Sequence, residues 1–126
     1  MIDLMRRLSE LCPEWVSVTK PGRSIPSRVF TIRVQTGRRT TYLFADGDDI
    51  ENAPAILAIV SHLFADGWEV VSTSYKEQDG AFSHNCELYR RLGEELCSGY
   101  VPTMTEAVLK AAVEAYGETG KEHPKA

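Results

Sequence analysis

The sequence predicts an α+β domain with a four-stranded, mainly antiparallel sheet made of two hairpins, and helices packed on it. The expected order is α-β-β-β-α-β-β-α with a short first strand. Three observations carry this. Two pairs of β-rich runs flank the turn signals Thr36-Gly37 and Glu77-Gln78-Asp79-Gly80, as hairpins do. Between them, Asn52 to Gly67 repeats apolar residues at steps of three and four, the period of a helix. No linker, internal repeat or low-complexity run divides the 126 residues. A chain of that length buries roughly two thirds of its unfolded surface as one domain. Residues 1–117 are assigned to the domain and 118–126 to a disordered polar tail.

Taken in order, Ile2 to Leu11 is a short amphipathic helix, with Leu4 or Met5, Leu8 and Leu11 on one side, and Pro13 ends it. Trp15, Val16 and Val18 suggest a brief strand before the loop Lys20 to Pro26. Arg28 to Gln35 and Arg38 to Ala45 form the first hairpin. With Thr36-Gly37 as its loop, Gln35 faces Arg38, Arg33 faces Thr40 and Thr31 faces Tyr42. Phe30, Ile32, Val34 and Leu43 then share the core face, while Thr31, Arg33, Gln35, Arg38, Thr40 and Tyr42 share the outer one. A slip of one residue would turn more apolar side chains into water, so the alternation favours this sorting.

The central helix is well delimited. Asn52 is a natural N-cap, Pro54 fits the first turn, and Gly67 can take the left-handed conformation just past the last one. Its expected buried stripe is Ala53, Ile56, Leu57, Val60, Leu63 and Phe64. The opposite face, with Ala55, Ala58, Ile59, His62 and Ala65, is also poor in charge and needs cover. The last helix can supply it; if that helix packs elsewhere, a second subunit is expected, giving a homodimer.

Trp68 to Tyr75 and Phe82 or Ser83 to Leu92 are the second hairpin, and Glu94 to Gly99 reads as a turn or short helical piece. Thr103-Met104-Thr105-Glu106 matches a capping box. Met104, Ala107, Val108, Ala111 and Ala115 form the buried stripe of the closing helix, which Gly117 is expected to stop.

Composition narrows the function classes. Hydrophobic residues make up 43% and charged ones 25%, an ordinary globular balance with no apolar run near the ~20 residues of a membrane span. No signal peptide is recognised in the first residues, so a cytoplasmic location is expected. Cys12, Cys86 and Cys97 lack metal-type spacing and read as reduced thiols. Asp46, Asp48 and Asp49 precede a helix without the DxDxDG pattern of a calcium loop, and favourable helix-dipole placement accounts for them. His84 reads as a structural or surface histidine, since no nucleophile elbow lies near it. No cofactor and no catalytic residue is assigned.

The net charge of −4 conceals an asymmetry. Residues 1–44 hold eight basic against three acidic side chains, +5, and the remainder carries −9. The basic part includes the outer face of the first hairpin. Arg33 and Arg38 offer planar forks for a carboxylate or phosphate, Tyr42 offers a stacking face, and Arg23 and Arg28 are close in sequence. These five residues are the candidate binding site.

Two stretches resemble known groups of proteins. Leu63-Phe64-Ala65-Asp66-Gly67-Trp68-Glu69-Val70-Val71-Ser72 followed by Glu87-Leu88-Tyr89-Arg90-Arg91 is similar to small bacterial and phage proteins of unknown function. The order of acidic loop, helix, hairpin and the Thr103 to Tyr116 helix resembles the phage-encoded sandwich domain of helix, sheet and helix. Together the resemblances cover residues 44–117. They imply an origin as a phage or prophage accessory protein, and small phage proteins frequently act by binding host machinery, defence systems included. With no phosphate-cradling glycine loop, HExxH or nucleophile elbow in the chain, the expectation is a non-enzymatic protein that binds a host protein partner. The alternative is a nucleotide or nucleic-acid binding module that uses the same Arg/Tyr face.

Overall fold

The computed structural model describes residues 2–18, 29–36, 38–46 and 53–122. Within them the elements are α1 (Ile2–Leu11), β1 (Val16–Val18), β2 (Val29–Thr36), β3 (Arg39–Asp46), α2 (Ala53–Ala65), β4 (Glu69–Lys76), β5 (Phe82–Arg90), β6 (Glu94–Cys97) and α3 (Met104–Glu122). A single 3-10 turn at Arg91–Gly93 joins β5 to β6.

The α+β class holds, but the expected single four-stranded sheet is replaced by two antiparallel three-stranded sheets, β1-β2-β3 and β4-β5-β6. Each hairpin acquires a third strand on one edge, beside β2 in the first and beside β5 in the second. The brief strand at Val16–Val18 pairs with β2, and Glu94–Cys97 forms a strand on β5 where a turn or helical piece was expected. Glu94-Glu95-Leu96-Cys97 has little strand character of its own, and pairing with β5 overrides that local preference. The helices bridge the two sheets. α2 contacts β2, β3 and β4, while α3 contacts β5, β6 and both other helices. α1 packs on α3 and β1.

The first hairpin closes two residues away from the expected register. Thr36 pairs with Arg39, Gln35 with Thr40 and Arg33 with Tyr42. All eight residues of each strand are thereby paired, and Arg38 lies outside the ladder. Because side chains alternate with period two, a shift of two leaves every face unchanged. Phe30 and Ile32 are fully buried and Arg33 and Tyr42 are exposed, as the alternation requires.

The buried side of α2 is turned by one residue's step, ~100°, from the expected stripe. Ala58, Ile59 and Leu63 are buried, whereas Leu57 and Phe64 are 67% and 58% exposed. The cause is α3, which packs on α2 and leaves Ala58 and Ile59 buried, although Ala65 stays exposed. Ala107, Ala111, Ala112 and Ala115 of α3 are all buried, and small side chains on both helices permit close approach. The condition for a homodimer through this face of α2 is therefore not met. At its end α2 has a Schellman stop, with Trp68 N–H donating to the Leu63 carbonyl (2.9 Å), Gly67 N–H to that of Phe64 (3.0 Å), and Gly67 at φ +91°.

α3 starts as expected, the Glu106 amide donating to Thr103 Oγ1 (3.2 Å). It does not stop at Gly117 but continues to Glu122. Gly117 lies against α1, where a Cβ would meet Leu11 Cδ1 at 3.7 Å, and packing on α1 carries the helix through a residue that favours termination. Residues 118–122 of the expected tail thus belong to α3, and 123–126 lie outside the described residues.

Candidate functional site

The site is assembled on β2. Its ladder with β1 ends at Trp15, whose carbonyl accepts from the Arg33 amide at 2.8 Å. Trp15 N–H turns back to the Cys12 carbonyl (3.2 Å), so the Arg33 carbonyl loses the donor that an antiparallel partner would supply. His62, one element away on α2, replaces it, with Nε2 at 2.6 Å from that carbonyl. A carbonyl only accepts, so Nε2 carries the proton. The imidazole lies flat on Trp15, centroids 3.7 Å apart at 11°, and Tyr116 meets the indole edge-on at 5.6 Å. Tyr116 donates in turn to Asp66 Oδ2 at 2.6 Å. Burial, followed by this bond to a carboxylate, pushes the Tyr116 phenol above its ordinary range. Arg33 is thus carried on backbone held from both sides.

On the outer face Arg33 stands directly across the ladder from Tyr42, and both are exposed, Tyr42 by 58%. Arg38 and Arg39, also exposed, add positive charge at the tip of the same hairpin. Among the described side chains no carboxylate pairs with these three arginines. Of the five predicted binding residues, the structure brings Arg33 and Tyr42 together and places Arg38 at the tip. Arg23 and Arg28 lie outside the described residues, as do Asp48 and Asp49 of the acidic loop.

Sequence reasoning missed a cleft of about 280 Å³ lined by Asp66, Trp68, Arg90 and Tyr116. Arg90 stacks over Trp68, 4.1 Å from the ring centroid, and its guanidinium meets Glu94 through Nε (3.1 Å) and Nη2 (2.6 Å). Those bonds hold the Glu94 carboxyl below its usual range. The cleft's cation is therefore already paired. The signal for it was the strand-end run Tyr89-Arg90-Arg91 beside Asp66-Gly67-Trp68, but pairing them needs the tertiary fold.

The remaining chemistry-bearing residues have structural partners. His84 Nδ1 is 2.7 Å from Ser74 Oγ across the second hairpin, and the His84 backbone bridges to Val101. Cys97 donates to Asn85 Oδ1 at 3.0 Å, and Ser98 Oγ donates to the same atom at 3.2 Å. Cys12 and Cys86 are buried and Cys97 is exposed, all three as free thiols. Burial pushes Cys12 up to about 12 and Cys86 up to about 11. Among the described residues, no group of three or more His, Cys, Asp and Glu converges as a metal cage. No described helix is long and apolar enough to cross a membrane.

These features define an α+β protein of two small sheets joined by a helical layer, presenting one cationic, aromatic hairpin face. No family model matches the chain, and no curated protein or solved structure compared with it matches either.

Proposed function

We propose that this is a non-enzymatic binding protein that engages an acidic surface of a protein partner through Arg33, Arg38 and Tyr42. The observation that carries the reading is the cross-strand pair Arg33 and Tyr42, exposed side by side on backbone anchored by Trp15 and His62. A rigid strand presenting a planar cation next to an aromatic ring loses little freedom on binding, and Arg and Tyr are the side chains that concentrate binding energy in interfaces. The resemblance of residues 44–117 to small phage proteins supports an origin as a phage or prophage accessory protein. The partner is then a host component in the cytoplasm, where the three thiols stay reduced. Affinity purification of the tagged chain from host cells, in parallel with Arg33→Ala/Arg38→Ala, tests this. Loss of captured protein with unchanged melting temperature supports the reading, and unchanged capture removes it.

A second reading is favoured by the exposed Tyr42 standing across from Arg33, with Arg38 and Arg39 adding positive charge at the hairpin tip: the same face takes a nucleotide or single-stranded nucleic acid, the ring stacking on a base. The acidic balance of the whole chain, −4, weighs against general nucleic-acid affinity. Affinity that falls steeply with salt would mark phosphate contacts, and a shallow dependence a protein interface.

A further inference from the structure

We propose that the free edge of β4 is a homodimer interface, at which two copies pair antiparallel about Thr73 and extend each sheet into a continuous six-stranded one. This is independent of the hairpin face.

The backbone direction follows from the described hydrogen bonds. In β5 the His84 amide and carbonyl exchange bonds with Val101 (2.8 and 2.9 Å), and the Cys86 carbonyl accepts from Ser98 N–H (2.9 Å). These residues point away from β4. By the alternation of an antiparallel ladder, Ser83, Asn85, Glu87 and Tyr89 are bonded to β4, through Tyr75, Thr73, Val71 and Glu69. The amides and carbonyls of Val70, Ser72, Ser74 and Lys76 therefore aim out of the sheet, where no described strand meets them.

Natural edges of this length are blunted by charge, proline or a bulge. β4 has none of these between its ends. Val70 to Tyr75 is free of charge and proline, and its register with β5 is unbroken. Apart from Val70 the whole strand is exposed: α3 packs on β5 and β6, and the contact of α2 with β4 leaves the rest of that strand open.

The occupant is argued from self-complementarity. A twofold axis normal to the sheet keeps each face continuous and pairs only residues of like parity. With Thr73 on the axis, Ser72 meets Ser74 and Val70 meets Lys76 as hydrogen-bonded pairs, using the outward-facing groups. Val71 then meets Tyr75, twice, at non-hydrogen-bonded positions, where side chains approach most closely. These are the two exposed large apolar residues of β4, at 44% and 45%. Tyr100, 53% exposed and edge-on to Tyr75 at 5.2 Å, flanks the contact. Lys76 faces Val70 in this register and Glu69 falls opposite Glu77 beyond the strand end, so the match is carried by the apolar pairs and not by charge. With Ser72 on the axis instead, Tyr75 would face Glu69 and the apolar match is lost. At ~150–250 Å² per full aromatic side chain, the half-exposed tyrosines and two strand edges place the interface at the small end of specific contacts, so dimerisation is expected in the micromolar range.

The test combines mass and cross-linking. Sedimentation from ~1 to ~300 μM should show the mass rise towards twice the monomer as concentration passes the expected range. In a Cys97→Ser background, Thr73→Cys should give an oxidised covalent dimer, since a non-hydrogen-bonded pair lies within disulfide reach, while Ser72→Cys should not. Ser72→Pro removes only an outward amide and Val71→Lys adds a charge to the edge, and both should abolish the mass increase with an unchanged circular dichroism spectrum. A monomer throughout, absence of the Thr73→Cys cross-link, a cross-link at Ser72→Cys instead, or a different protein's strand seated on a monomeric β4 would overturn the proposal.

Discussion

Replacing His62 dissects how the binding hairpin is held. Its Nε2 proton satisfies the Arg33 carbonyl at 2.6 Å, and its ring stacks on Trp15 at 3.7 Å. Leaving a buried acceptor without its donor costs about 1–3 kcal/mol, and an aromatic stack contributes about 0.5–1.5 kcal/mol. His62→Phe retains the stack and loses the donor; Arg33 is exposed and His62 half-buried, so water recovers part of the loss and the cost should be about 0.5–1 kcal/mol. His62→Ala loses both, at about 1–2 kcal/mol. With an m-value of about 2 kcal/mol/M, the urea midpoint should fall by about 0.3–0.5 M for Phe and 0.5–1 M for Ala. Capture of the partner by Arg33 should weaken in both, because the backbone that carries it is no longer tied to α2. A His62→Phe midpoint equal to the parent's would show that the Arg33 carbonyl needs no donor from α2, and would refute the reasoning.

Gly117→Ala should stabilise the chain by about 0.5–1 kcal/mol, since the position is interior helix and the added Cβ meets Leu11 at an ordinary 3.7 Å. Destabilisation in the same urea titration would instead place a left-handed stop there. Of the three thiols, only Cys97 should react with a neutral disulfide reagent at pH 8 in the folded state, because burial holds Cys12 and Cys86 protonated and enclosed. Two or three equivalents would contradict their burial. Tyr116 has a folded pKa raised above 10, so its contribution is full below pH 10 and is lost as pH rises beyond it. Tyr116→Phe should therefore be less stable at pH 7 by about 1 kcal/mol, yet lose less stability than the parent between pH 10 and 11.5.

Much of this fold is local and was legible. The period of α1 placed Leu8 inside together with Leu4 or Met5, of which Met5 is the buried one, the Thr103 box marked the start of α3, and the alternation in β2 separated Phe30 and Ile32 from Arg33. That last inference survived a register error because a two-residue shift preserves faces. What failed depended on tertiary partners rather than on local pattern. Which side of α2 is buried was decided by α3 and the passage of α3 through Gly117 by α1, both distant in sequence, while the strand at Glu94–Cys97 was decided by pairing with the neighbouring β5 against its own weak strand character. The candidate site divides in the same way. Arg33 and Tyr42 share a face by simple alternation, whereas the His62 bond to Arg33 spans 29 residues and the Tyr116 bond to Asp66 spans 50. No periodicity in the chain announces either.

The most direct test of the hairpin's role is quantitative capture from host cells by three baits: the parent chain, Arg33→Ala/Arg38→Ala, and Lys110→Ala, a control that removes an exposed charge from α3. The expected result is one partner retained by the parent and by Lys110→Ala and lost from the double variant, with all three melting at the same temperature. Equal retention by all three baits would contradict a binding face on the first hairpin.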